Sequence, residues 1–64
     1  MIGLLRNALE MLPAGQRQVV RMRIYDEKTF AVIAEELQVP IGTALTRMQL
    51  ALRKLRSIMA PHSD

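Results

Sequence analysis

The sequence predicts an all-α fold, a four-helix domain that contains a helix-turn-helix and no wing. Apolar residues recur at intervals of three and four positions, which is the spacing of one helix face. Prolines stand at two of the expected helix starts, and a short break separates the last two apolar stripes. With 64 residues the chain is long enough for one small domain, assigned here to residues 1–64, with helices over about 2–12, 13–25, 29–38 and 41–59.

Two apolar stripes joined at Pro13 define the first pair of helices. The first stripe comprises Leu5, Ala8, Leu9 and Leu12, widened by Leu4 and Met11. Proline ends a helix and is tolerated at the start of the next one, so Pro13 divides the pair. The second helix is expected to bury Val19, Val20, Met22 and Ile24. Its arginines, Arg17, Arg21 and Arg23, contact phosphates or are solvated; we favour solvent for Arg17 and leave the other two open.

The third helix is predicted to begin after Thr29, whose hydroxyl can accept a hydrogen bond from a free N–H of the first turn. Its buried face comprises Phe30, Ile33, Ala34 and Leu37. In the turn that follows, Val39 is expected to pack beneath the turn as its apolar residue. Pro40 can be the first residue of the last helix.

The last helix carries an apolar stripe and an opposite polar face. The stripe comprises Ala44/Leu45, Met48, Ala51/Leu52, Leu55 and Ile58/Met59, and Leu50 is expected to be exposed. Ala34 and Ala44 are small where the two helices of the helix-turn-helix must cross closely. Thr46, Gln49 and Arg53 are expected to point outward together.

Charge and composition restrict the possible functions. The net charge is +3, and the segment Thr43–Ala60 holds four basic residues and no acidic one. On the second helix of a helix-turn-helix this pattern favours a nucleic-acid binder over a merely solvated face. The chain has no Cys, no metal-ligand cluster and no glycine-rich phosphate loop, so neither an enzyme nor a cofactor is expected. No apolar run is long enough to cross a bilayer, and a cytoplasmic protein is expected.

Several motifs occur in the order found in region 4 of bacterial sigma factors. They are Leu12-Pro13, Gln16–Val20, Ile33-Ala34-Glu35, Val39–Thr43 and Thr46-Arg47, and the sequence most resembles the extracytoplasmic-function type. The resemblance implies a domain that reads the promoter −35 element with its last helix and docks on the β flap of RNA polymerase. It also leaves an anti-sigma factor open as a further partner.

The resemblance carries DNA contacts over to particular residues. On the last helix the implied DNA-binding residues are Thr43, Thr46, Arg47, Gln49 and Arg53. Thr29 stands where the bracing helix of the family begins, near a phosphate. Gln49 could pair bidentately with adenine, and an arginine with guanine or a phosphate.

Departures from the family pattern support an alternative function. Leu45, Leu50 and Leu52 stand where the family often has a basic residue, which would weaken phosphate binding. Leu45 could instead touch a thymine methyl or join the apolar stripe. Gln38 takes the turn position that glycine usually fills in the family, and a left-handed backbone there would favour glycine. A sigma-like protein-interaction module, either a decoy or a dimer with weak or no DNA binding, therefore remains open. A domain of another regulator class, such as a response-regulator output domain, is less favoured by the turn at Pro40–Thr43. The chain is too short for a −10-binding region, so it is either a fragment of a longer sigma factor, which we favour, or a small protein that keeps only this domain.

Overall fold

The computed structural model describes residues 2–59, and side chains within residues 6–58. The described chain folds into helices α1 (Ile2–Glu10), α2 (Ala14–Val20), α3 (Phe30–Leu37) and α4 (Ile41–Met59), and α2 continues as a π-helical segment over Arg21–Tyr25. Residues 2–59 contain no strand, which confirms the all-α prediction. None of the described helices is long and apolar enough to span a membrane. The predictions for the side chains of Leu4, Leu5 and Met59 lie outside the described residues.

The core is formed by apolar side chains from all four helices and collects around α4, which contacts α1, α2 and α3. Its buried members are Ala8, Leu9, Leu12, Val19, Val20, Met22, Ile33, Ala34, Ala44, Met48, Ala51 and Leu55. Phe30, Leu37, Val39 and Ile58 are partly buried against this cluster. Both alanines expected at the helix crossing, Ala34 and Ala44, are thus buried in one core.

The apolar stripe of α4 is narrower than predicted. Its buried residues follow a spacing of four, three and four positions, over Ala44, Met48, Ala51 and Leu55. Leu45 and Leu52 are instead 40% and 43% exposed, so the prediction that they share the buried stripe is wrong. One residue turns a helix by about 100°. The alanine of each Ala–Leu pair therefore faces the core, where small side chains allow close packing, and the leucine lies on the flank.

The π-helical segment shifts the buried face at the end of the second helix. A π-helix closes i→i+5 hydrogen bonds, and the Asp26 N–H donates to the Arg21 carbonyl over 3.2 Å in this pattern. The wider turn changes the direction in which later side chains point. Met22 is buried, but Ile24 is 44% exposed, so the prediction that Ile24 is a core residue is wrong.

The junction at Pro13 separates α1 from α2. The N–H groups of Met11 and Leu12 donate to carbonyls three residues earlier, over 3.1 Å each, which tightens the end of α1. The Pro13 carbonyl then accepts from the Arg17 N–H at 2.9 Å and opens α2. Met11, in this turn, is 62% exposed and does not widen the buried face as expected.

A small polar network fixes the connection before α3. Lys28 Nζ donates to Glu36 Oε1 over 2.6 Å, and this hydrogen bond, opposed by partial desolvation, raises the pKa of Lys28. Arg23 Nη1 donates to the Lys28 carbonyl over 2.9 Å, and the Arg23 guanidinium lies 5.0 Å from the centroid of the Phe30 ring. The sequence left open whether Arg23 contacts a phosphate or is solvated. In the structure it interacts within the chain instead, at the segment that leads into α3.

Both ends of α3 are capped, and the sequence predicts the cap at Thr29. Thr29 Oγ1 accepts a hydrogen bond from the Val32 N–H over 3.2 Å, which confirms the predicted N-cap. At the other end Gln38 has φ 58° and ψ 47°, a left-handed conformation. The N–H groups of Gln38 and Val39 return to the carbonyls of Glu35 and Ala34, at 3.2 and 3.0 Å. This pattern is a Schellman motif, and it directs the chain into α4.

We expect Gln38→Gly to raise the free energy of unfolding by about 1 kcal/mol, because glycine adopts a left-handed backbone without the Cβ clash. Urea unfolding followed by circular dichroism measures the change. Glu35→Gly, inside α3 with a helical backbone, is the matched control and should lower stability by about 1 kcal/mol. A loss of stability in both variants would contradict the assignment of the turn.

Candidate nucleic-acid interface

Three polar side chains form an outward stripe on α4. Thr46, Gln49 and Arg53 are all exposed, and their spacing of three and four residues places them on one face of the helix. Arg53 points about 180° away from the buried Ala44 when each residue turns the helix by about 100°. The structure therefore brings these three predicted residues together on the side of α4 that the core does not use.

Two residues of the stripe, Gln49 and Arg53, also line a shallow basic groove toward the end of α4. Gln49, Leu52, Arg53 and Arg56 line this shallow depression of about 280 Å³. Both ion pairs found among the described residues use Lys28, so in this part of the chain neither arginine has a carboxylate partner. Their charge is available for an anion such as a phosphate. Arg56 was not among the predicted contacts, although its position three residues after Arg53 was the signal for it.

Arg47 lies apart from the stripe. It is half-buried, and its side chain crosses Gly15 on α2, where an added Cβ would lie 3.6 Å from Arg47 Nε and Cζ. That distance is ordinary van der Waals contact, so the Arg47 side chain lies close to α2 and would still leave room for a Cβ at position 15. Thr43, one turn earlier, is also half-buried. These two predicted contacts border the side of α4 that faces α2, and their binding role stays a prediction.

Thr29 lies at the start of α3, outside α4. It is exposed, and its hydroxyl oxygen already accepts the Val32 N–H, which leaves its O–H free to donate. The neighbouring Lys28 is paired with Glu36 and contributes little free positive charge at this position. A phosphate contact by Thr29 therefore stays a prediction.

Exposed leucines border the polar stripe on both sides. Leu45 and Leu52 lie on one flank of α4, and Leu50, 42% exposed as expected, lies on the other. Leu50 reaches a second groove of about 350 Å³, together with Pro13, Gln16, Arg53, Lys54 and Ser57. The face of α4 is thus a polar and basic stripe between two apolar edges.

A comparison of the sequence with protein families identifies the family of this domain. The sequence model of sigma-70 region 4 matches residues 2–55 of the chain. The chain belongs to the sigma-70 region 4 family. Members of this family are transcription-regulatory domains, and the family is not a known enzyme family.

A curated relative indicates the subtype. The region 4 chain is 34% identical over 56 residues to the ECF RNA polymerase sigma factor RpoE of Cereibacter sphaeroides. The match covers 88% of the chain but only 31% of that relative, so the chain spans less than a third of its length. No solved structure matches the chain. Family and relative together support the DNA-binding helix-turn-helix region of an extracytoplasmic-function sigma factor.

The two arginines that differ in burial give a test of the geometry. We expect Arg47→Ala to lower the free energy of unfolding of the region 4 domain by about 1 kcal/mol, because its half-buried side chain lies close to α2 at Gly15. Arg53→Ala removes the same side chain from an exposed position and should change stability by less than about 0.5 kcal/mol. Urea unfolding of both variants measures the difference. Equal losses would show that Arg47 does not support the packing of α2 on α4.

Proposed function

We propose that this region 4 domain binds double-stranded promoter DNA by inserting α4 into the major groove at the −35 element. The observation that carries the proposal is the exposed stripe of Thr46, Gln49 and Arg53 on the second helix of the helix-turn-helix. The buried residues of α4 lie on the opposite side, so the helix can enter a groove without unfolding. Membership of the sigma-70 region 4 family supports the same function.

Each polar side chain has a proposed role. The Gln49 amide can donate to N7 and accept from N6 of adenine, which makes it the base reader. Arg53 can bind a guanine edge or a phosphate, and Arg56, next along the groove, a phosphate. The sugar-phosphate backbone is the proposed ligand of the remaining three residues, Thr43, Arg47 and Thr29. They border the stripe or lie beyond it. Such contacts set affinity and orientation, whereas Gln49 would contribute to sequence choice.

The charge distribution supports this orientation. The basic residues of α4 carry no acidic neighbour on the same helix, whereas α3 exposes Glu35 and Glu36. DNA would be attracted to α4 and repelled by the acidic surface of α3. The Lys28–Glu36 pair already neutralises part of the charge at the start of α3, whereas the four basic residues of α4 have no ion-pair partner among the described residues.

We also propose that the domain docks on RNA polymerase through its β flap, as the family resemblance implies. Exposed apolar side chains outside α4, which a protein partner could cover, are Met11, Ile24, Tyr25 and Val32. They belong to the turn after α1, the π-helical segment and α3, so a polymerase contact there would leave the stripe of α4 free. An anti-sigma factor remains a further predicted partner.

The salt dependence of binding tests the DNA contact. On a −35-like duplex we expect affinity to fall with salt, and Arg53→Gln to reduce the slope of log K against log salt by about 0.9, the value for one lost phosphate contact. Arg53→Lys keeps the charge and should keep the slope. Fluorescence anisotropy with a labelled duplex from 50 to about 300 mM salt measures both variants. Binding that does not respond to salt would rule out the proposed contact.

A second candidate function is a sigma-like protein-interaction module. The exposed Leu50, in its groove with Pro13 and Gln16, favours it, because an apolar side chain in a groove can anchor a protein partner. Sedimentation separates the two functions. A monomer with salt-sensitive DNA binding supports the proposed function, and a dimer without DNA binding supports the second candidate.

A further inference from the structure

Leu45 and Gln49 lie side by side on the exposed surface of the first half of α4. Residues four apart on a helix are neighbours on one face. Both are exposed, and Leu45 keeps 40% of its surface accessible although it is a large apolar residue. The pair therefore combines an aliphatic tip and a primary amide within one turn.

We propose that Leu45 is a specificity-determining residue that contacts the C5-methyl group of a thymine beside the adenine read by Gln49. The inference rests on the proposed function and deepens it by naming the class of sequence. The domain would prefer neighbouring A·T pairs in the major groove over G·C pairs at the same position.

The chemistry of base edges supports this assignment. In the major groove only thymine presents a methyl group, and adenine presents the N7 acceptor and N6 donor that match a glutamine amide. The leucine side chain has no hydrogen-bond donor or acceptor. Polar groups of a G·C pair placed against Leu45 would therefore lose their hydrogen bonds to water and gain none from the protein. A thymine methyl in that place buries apolar surface on both sides of the contact.

Helix geometry supports the pairing of the two contacts. Four residues advance α4 by about 6 Å. One base-pair step along a strand is about 3.4 Å, so Leu45 and Gln49 can reach bases one or two steps apart. Residues near the N-terminus of a recognition helix contact base edges, and both residues lie in the first three turns of α4.

The other exposed leucines of α4 do not share this position. Leu50 points about 140° away from Leu45, into the groove that Pro13 and Gln16 border. Leu52 shares the flank of Leu45 but lies about 10 Å farther along the helix, beside Arg53 and Arg56. Leu50 is therefore a matched control, because it has the same side chain, the same helix and nearly the same exposure of 42%.

The test removes single methyl groups from DNA. The best-bound duplex is first selected from a randomised pool with the 64-residue chain. Each thymine is then replaced in turn by deoxyuridine, which lacks the C5-methyl but keeps every hydrogen bond. We expect one replacement to weaken binding about fourfold, the value for one buried methyl-sized group. Binding is measured by anisotropy, and circular dichroism checks that each variant is folded.

Two variants test whether Leu45 is the residue that contacts the thymine methyl group. Leu45→Ala should bind the thymine and uracil duplexes equally, and Leu50→Ala should keep the fourfold difference. The assignment to Leu45 is overturned if no replacement of thymine by deoxyuridine weakens binding. It is also overturned if Leu45→Ala still binds the thymine duplex more tightly than the uracil duplex. Either result leaves DNA binding by the domain intact. Failure to select any duplex with salt-sensitive binding overturns the proposed function itself, and the inference with it.

Discussion

The tight packing of α4 through its alanines is the constraint on which the rest of the structure depends. Ala44 and Ala51 are completely buried, and they belong to the same core as Ile33 and Ala34 of α3 and Val19 of α2. Small side chains at these positions let helices approach closely without a cavity. Because this face is committed to the core, the polar stripe and the flanking leucines must point outward.

The segments on either side of α3 hold the helix-turn-helix in place. Before α3, Lys28 connects to Glu36 while Arg23 binds the Lys28 carbonyl and covers the Phe30 ring. After α3, the left-handed Gln38 closes the Schellman motif, so the chain turns directly into α4. These local contacts determine where α3 begins and ends, and the buried alanines determine how α4 crosses it.

Much of this arrangement could be predicted from the sequence, because helix spacing and capping residues are local signals. The all-α fold, the Thr29 cap and the outward stripe of α4 follow from such signals, whereas Gln38 itself gives no signal for its left-handed backbone. The errors concern information that one helix does not contain. Adjacent positions such as Ala44 and Leu45 fit the same period, and only packing against α2 and α3 decides which is buried.

The remaining differences also come from tertiary structure. The π-helical turn that exposes Ile24 has no distinctive pattern in the sequence, and a regular helix had to be assumed. The Arg47 side chain lies close to Gly15 of α2, which is 32 positions earlier in the chain. The sequence therefore identified Arg47 as polar and basic but could not show that it lies against another helix.

The central claim is that α4 presents its Thr46, Gln49 and Arg53 face to DNA, and an NMR titration of the labelled chain with a −35-like duplex tests it most directly. If α4 enters the groove, the largest chemical-shift changes fall on the backbone amides of these three residues and on the side-chain amide of Gln49, with little change at Ala8 and Leu9 in α1. Shifts concentrated in α1 and the π-helical segment, with the Gln49 side-chain amide unchanged, would contradict it.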